Sequence, residues 1–177
     1  MRLVNWNIKR NGPTTAEAMS LMEEIAGLSP DLVCLTEAWD QSLGSFGGHL
    51  LDAKGVSWSE QHPGERKVLL WSPAPWTNID LMKATAEFGG AISGCTQIRD
   101  FTIRVVGVCI PYHMANPFGQ IPATPPWEQH ERFLRALAPY LRRWRQEGPV
   151  IVVGDFNRKI PRAKRTPRKS FVILEDA

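Results

Sequence analysis

Apolar residues occur along this chain mostly in short runs, and short runs of this kind predict β-strands rather than long helices. The strands predicted from these runs cover residues 3–8, 31–37, about 48–52, 67–71 and 150–153. Two longer runs, residues 91–98 and 101–110, are joined by the polar pair Arg99-Asp100 and therefore predict a β-hairpin.

Two segments show helical spacing instead. A first helix is expected to be capped by Thr14 or Thr15 and to end near Gly27. Its apolar face consists of Ala18, Leu21, Met22 and Ile25. The second helix is predicted over residues 127–146, before Gly148-Pro149. Its apolar face consists of Phe133, Leu134, Leu137, Leu141 and Trp144. Central strands with a few helices outside them favour an α+β sandwich over a strictly alternating doubly wound sheet. We expect one domain over residues 1–177.

Polar side chains are found at the ends of three predicted strands. Asn7 lies near the end of the first strand, Glu37 ends the second, and Asp155 and Asn157 follow the last. A group that accepts a proton, close to an amide that donates a hydrogen bond, suits chemistry on a phosphate ester. Asp155 and Asn157 alone are equally compatible with an Asx-rich turn that closes the strand. The three strand ends together predict a shared polar cleft.

The ordered set of these segments resembles a known family. The segments are Trp6-Asn7, the run Pro-Asp-Leu-Val-Cys-Leu-Thr-Glu at residues 30–37, and Gly154-Asp155-Phe156-Asn157. Together they are similar to the motifs of the endonuclease/exonuclease/phosphatase superfamily, and the resemblance covers residues 1–157. It implies a four-layer α/β/β/α sandwich, with two mixed β-sheets flanked by helices. It also implies a metal-dependent hydrolase that acts on phosphoric ester bonds.

The resemblance also implies roles for individual residues. Glu37 would bind Mg²⁺, or Mn²⁺ in its place, and Asn7 would assist through its amide oxygen. Mg²⁺ prefers oxygen ligands and keeps several waters, so few protein ligands are needed. Asp155 would orient or deprotonate the attacking water, and Asn157 would donate a hydrogen bond to a phosphate oxygen.

The loop after the predicted hairpin adds two candidates. His113 stands where the family commonly has a histidine or tyrosine, so the resemblance implies that it binds the phosphate or protonates the leaving oxygen. Tyr112 is a weaker candidate for the same cleft. The remaining histidines have no motif around them and are interpreted as surface or structural residues; they are His49, His62 and His130.

One departure from the family pattern is evident. Members usually carry a late Ser-Asp-His-like motif, but no histidine follows His130 in this chain. The chain is therefore expected to be a fragment that lacks the last strands of the fold, or a degenerate relative. The closing apolar run at residues 171–174 would need a surface to cover.

Charge is distributed unevenly along the chain. Residues 132–169 hold 12 of the 21 Lys and Arg residues, but only Glu147 and Asp155 of the 18 acidic residues. Much of this positive charge lies in residues 158–169, directly after the candidate site. A basic loop there would attract a polyanion such as nucleic acid. A solvated loop without a partner is the alternative interpretation.

Cysteine usage and hydropathy bear on the compartment. The three cysteines, Cys34, Cys95 and Cys109, lie in or beside apolar stretches without metal-type spacing. We therefore expect buried, reduced thiols in a cytoplasmic protein rather than disulfides or zinc ligands. No apolar run approaches the roughly 20 residues of a membrane span, and the strand-like N-terminus does not resemble a signal peptide.

These observations predict a Mg²⁺-dependent phosphoesterase, most simply a nuclease-like phosphodiesterase. A catalytically inactive relative, which binds nucleic acid or a phosphorylated ligand through the basic 158–169 loop, is the first alternative. An interaction domain that uses the proline-rich residues 116–127 is the second. The substrate and the oligomeric state do not follow from the sequence.

Overall fold

The computed structural model describes residues 1–53, 63–86, 90–115 and 125–158. The strands in this part of the chain are β1 (Leu3–Asn7), β2 (Leu32–Trp39), β3 (His49–Asp52), β4 (Glu65–Ser72), β5 (Thr77–Asp80), β6 (Gly90–Ile98), β7 (Phe101–Cys109) and β8 (Val150–Asp155). The α-helices are α1 (Ala16–Gly27), α2 (Lys83–Ala86) and α3 (Glu128–Glu147). A 3₁₀ turn at Gly44–Phe46 precedes β3. None of these helices is both long and apolar enough to cross a membrane.

The strands form two mixed four-stranded sheets, with the orders β1-β2-β4-β3 and β5-β6-β7-β8. β1 pairs in parallel with β2, and β8 pairs in parallel with β7, while the other neighbours are antiparallel. One apolar cluster lies between the sheets, a second lies under α1, and a third lies under α3. The predicted four-layer α/β/β/α sandwich is therefore confirmed.

The central strands are apolar on both faces because each sheet is covered on both sides. In β4, Val68 and Leu70 pack between the sheets, whereas Leu69 and Trp71 lie in the cluster under α1. The sheets approach each other closely at Gly107, where an added Cβ would lie 2.5 Å from Val68 Cγ1.

Both predicted helices are confirmed. The Thr15 hydroxyl accepts a hydrogen bond from the Ala18 backbone N–H at 3.2 Å and so caps α1. The apolar face predicted for α3 is mostly buried against β6, β7 and β8, although Leu141 is only partly buried. The predicted hairpin is also confirmed as β6 and β7.

The sequence pattern missed two elements and ended two strands two residues too early. β8, predicted over residues 150–153, continues to Asp155. β5 has no apolar run, because it is a short strand that lies at the edge of its sheet among the described strands, and α2 is a single turn. β2 does not end at Glu37 but continues to Trp39. Glu37 has a left-handed backbone, with φ of 50°. The apolar alternation shifts by one residue there, which makes the strand look as if it ends.

Candidate active site

Two edge strands from different sheets place the first polar side chains together. Asn7 is the last residue of β1, and Asp155 is the last residue of β8. The two strands are connected by Asn5, whose Nδ2 donates to the Gly154 carbonyl oxygen at 3.0 Å. Among the described strands each of these two lies at the edge of its own sheet, and the contact between them places the site where the two sheets meet.

The Asn7 amide joins the two carboxylates. Its Nδ2 donates to Asp155 Oδ2 at 2.8 Å and to Glu37 Oε1 at 3.2 Å. Its Oδ1 accepts from the backbone N–H of Lys9 at 2.9 Å. In this arrangement Asn7 positions the carboxylates, and its amide oxygen is used within the chain. Its role as a metal ligand stays a prediction.

The backbone of Glu37 has a left-handed conformation, which is unusual for a residue with a side chain. A non-glycine residue in the left-handed region costs about 1–3 kcal/mol, and such residues are often found at functional sites. The Glu37 carbonyl accepts a hydrogen bond from the Arg10 N–H at 2.7 Å, which helps to fix this conformation. The Glu37 side chain is 24% exposed, with Oε2 at 4.0 Å from Arg10 Nε. The carboxylate is therefore fixed but still accessible to a ligand.

Asp155 and Asn157 are positioned by the turn after β8. Asp155 Oδ1 accepts from the Asn157 backbone N–H at 2.8 Å, as in an Asx turn. Asn157 also has a left-handed backbone, and its Nδ2 donates to the Ile110 carbonyl oxygen at 2.8 Å. The side chain of Asn157 thus ties this turn to the end of β7. Its predicted hydrogen bond to a phosphate would have to use the second amide hydrogen.

His113 and Tyr112 lie on the loop after β7 and are exposed. The His113 ring contacts the rings of Tyr112 and Trp127, with centroids 6.1 Å and 5.6 Å away. Their catalytic roles stay predictions. His130 is buried, with Nδ1 at 2.8 Å from the Pro111 carbonyl oxygen, which agrees with the structural role predicted for it.

One cation near the candidate carboxylates was not singled out from the sequence. Lys67 on β4 lies beside Gly90, where an added Cβ would be only 2.5 Å from Lys67 Cβ. Burial lowers the pKa of Lys67, while Cys109 raises it and Arg10 lowers it further. The available signal was a lysine at the first position of the strand predicted over residues 67–71. Of the basic 158–169 loop, only Arg158 belongs to the described residues.

The cysteines are free and buried, as predicted. Burial raises the pKa of Cys109 from 9.0 to about 12, and it also raises the pKa of Cys34. In the unfolded chain these thiols ionise at a lower pH than in the folded protein. The folded state therefore keeps its full stability below about pH 9, and it loses stability as the pH rises from there towards 12.

We therefore expect the free energy of unfolding to fall by about 1–2 kcal/mol per buried thiol between pH 8 and pH 10.5. Urea titrations at the two pH values measure this change. The Cys109→Ala variant should lose less stability over the same interval than the wild-type protein. An equal loss in both proteins would contradict the assignment to Cys109.

The donors at the site fit a small, hard cation. Within the described residues no group of three or more His, Cys, Asp or Glu side chains could hold a metal ion by itself. Glu37 and Asp155 nevertheless present carboxylate oxygens to one amide, and Mg²⁺ is commonly bound through one or two carboxylates together with waters and substrate phosphates. The site is thus suited to a cation that keeps part of its hydration shell.

Comparison with known protein families gives one match over most of the chain. The profile of the Endonuclease/Exonuclease/phosphatase family matches residues 4–167, which include all the candidate site residues. Comparison with curated proteins finds no significant match.

Solved structures share the fold at low sequence identity. Sphingomyelinase C from Streptomyces griseocarneus superposes with a TM-score of 0.62 at 14% identity, over 99% of this chain and 69% of that chain. D. rerio TDP2 complexed with a single-strand DNA product gives 0.64 at 12% identity, over 98% and 64%. A mutant beta toxin from Staphylococcus aureus with bound magnesium ions gives 0.62 at 13% identity, over 99% and 69%. This chain thus spans about two thirds of the length of these structures.

Proposed function

This chain belongs to the endonuclease/exonuclease/phosphatase family, and from that membership and the geometry of its site we propose that it hydrolyses phosphate esters with the help of Mg²⁺. The observation that carries the proposal is the Asn7 amide, which holds Glu37 and Asp155 together at the meeting edge of the two sheets. Two carboxylates brought together from different sheets make a site for a cation and a water. A simple Asx turn that closes β8 would involve only Asp155 and Asn157, and it would not need Asn7 or Glu37.

Each residue has a distinct task in the proposed reaction. Asp155, next to the turn, orients the attacking water and takes its proton. Asn7 keeps Asp155 turned towards Glu37. Asn157 uses its free amide hydrogen to bind a phosphate oxygen, and His113 or Tyr112 protonates the leaving oxygen. General acid–base help of this kind is worth about 10²–10⁴ in rate.

Glu37, with its accessible carboxylate, would hold the metal, and a bound Mg²⁺ would polarise the phosphoryl group and stabilise the leaving oxygen. Magnesium is bound in the beta toxin structure, which supports this choice of metal by similarity of fold. Mn²⁺, another cation that oxygen ligands suit, is expected to substitute.

For the substrate we propose a phosphodiester of a nucleic acid. The excess of Lys and Arg in residues 132–169 favours a polyanion. One structure of similar fold is a complex with a single-strand DNA product, which supports the same class. The three free thiols support a reducing, cytoplasmic compartment.

Replacing Glu37 with glutamine tests the metal-binding part of the proposal. We expect the Mg²⁺ concentration for half-maximal hydrolysis of a single-stranded oligonucleotide to rise at least about tenfold, because a neutral amide is a weaker ligand than a carboxylate. Hydrolysis is followed over a Mg²⁺ titration, with EDTA as the zero point. The matched control is Glu24→Gln on the exposed side of α1, which should keep the wild-type Mg²⁺ requirement.

The same titration separates the alternatives. If the oligonucleotide binds in EDTA but is not hydrolysed at any Mg²⁺ concentration, the protein is an inactive, nucleic-acid-binding relative and not an enzyme. The absence of both binding and turnover would favour the interaction domain that uses residues 116–127. Of that segment, residues 116–124 lie outside the described part of the chain.

A further inference from the structure

Strand pairing places Lys67 close to Glu37. In the antiparallel β2–β4 pair, Thr36 faces Val68 and Ala38 faces Arg66, so the left-handed residue Glu37 and Lys67 both lie between these two paired positions. β4 lies inside the sheet, between β2 and β3. Lys67 follows the charged pair Glu65-Arg66 and comes directly before the apolar run of β4, so its positive charge lies at the end of that run.

The neighbouring sheet makes room for this lysine. Gly90 begins β6 and pairs with Cys109, which in turn pairs with Asp155. A side chain at Gly90 would collide with the lysine stem, because its Cβ would lie 2.5 Å from Lys67 Cβ and 3.0 Å from Lys67 Cδ. The stem of Lys67 therefore crosses the gap between the sheets at the end where Asp155 emerges.

Strand pairing places Cys109 between Asp155 and Gly90, against which the Lys67 stem lies. After burial, the charge of Asp155 is the largest influence that raises the pKa of Cys109, and Glu37 also raises it, whereas Lys67 and Arg10 lower it. Arg10 contributes from the exposed side, with Nε at 4.0 Å from Glu37 Oε2.

We propose that Lys67 is the resident cation of this site: its fixed positive charge reduces the repulsion between Glu37 and Asp155 and thereby keeps the carboxylates in position when no metal is bound. Lys67 acts through the two carboxylates and is therefore a positioning residue. The same charge opposes the entry of a divalent cation, so the site binds metal more weakly than its two carboxylates alone would.

This inference builds on the metal-assisted reaction proposed above, but its test needs no turnover. In the variant Lys67→Met, which keeps an unbranched side chain of similar length, we expect Mn²⁺ to bind at least about tenfold more tightly than in the wild-type protein, since a nearby positive charge has been removed. Binding of Mn²⁺ alone to the full chain is measured by isothermal titration or by electron paramagnetic resonance.

Three further variants separate charge from packing. Lys67→Gln, which is neutral but polar, should also bind Mn²⁺ more tightly, and Lys67→Arg, which keeps the charge, should bind as the wild type does. Lys83→Met on the exposed surface of α2 is the matched control and should change nothing. Thermal melting of each variant establishes that the protein is folded.

The sign of the effect decides the inference. A merely structural lysine would weaken metal binding when replaced, because the site would lose its shape. Mn²⁺ binding by Lys67→Met that is unchanged, weaker or absent would overturn the inference. Tighter Mn²⁺ binding by Lys67→Met that is lost in the double variant with Glu37→Gln would support the inference. If the protein with this behaviour hydrolyses no phosphate ester, only the function proposed above is wrong.

Discussion

Replacing Asp155 with asparagine is expected to lower the rate of phosphodiester hydrolysis by about 10²–10⁴-fold, with little loss of folding stability. Asparagine keeps the Oδ1 acceptor for the Asn157 N–H, so the turn after β8 remains. It cannot take a proton from water, and its amide group makes a poorer partner for Asn7 Nδ2. The loss of that one hydrogen bond should cost about 1 kcal/mol of stability.

The turnover number for bis(p-nitrophenyl) phosphate and the melting temperature, both at saturating Mg²⁺, measure these two effects separately. The control is Asp100→Asn in the exposed β6–β7 turn, at the far end of the hairpin from the site. It should match the wild type in both measurements. An Asp155→Asn protein with full activity would show that another group activates the water.

Gly154→Ala is the substitution expected to cost most stability. Gly154 has φ of 139°, a conformation that is strained for a residue with a side chain. An added Cβ would also lie 1.9 Å from the Val108 carbonyl oxygen. This is a backbone atom held in the β7–β8 pair, so it cannot move aside as a flexible side chain would. We expect a loss of at least about 3 kcal/mol in the free energy of unfolding.

Urea unfolding measures this loss, and insoluble expression would be its extreme form. Gly27→Ala at the end of α1 is a matched control, because nothing lies within 4 Å of its added Cβ and its φ is ordinary. Alanine has the higher helix propensity, so this control should be unchanged or slightly more stable. A Gly154→Ala protein as stable as the control would mean that the backbone after β8 can relax.

Most strands, both long helices and the α+β sandwich class could be predicted because they depend on local periodicity, whereas the four layers were implied by the family resemblance. β4 and β7 are apolar on both faces, as strands between two packed layers must be, and α1 shows the apolar spacing of a helix with one buried face. β5 escaped prediction because an edge strand needs few apolar residues.

The identities of the candidate carboxylates could also be predicted, since Glu37 and Asp155 follow or interrupt apolar runs. Their relation to each other could not. Thirty residues separate Asn7 from Glu37, and 148 separate it from Asp155. Only the packing of the two sheets brings β1 and β8 together, and only then does one amide reach both carboxylates.

The sequence alone therefore determined the sandwich, the family resemblance and the acidic residues, because strand periodicity and short motifs are local properties of a chain. The tertiary structure decided that Glu37 lies within β2 in a left-handed conformation, that Asn7 uses its nitrogen to join two carboxylates, and that the Lys67 stem packs against Gly90 of the other sheet. These features depend on contacts between residues distant in the sequence, and such contacts form only when the sheets pack.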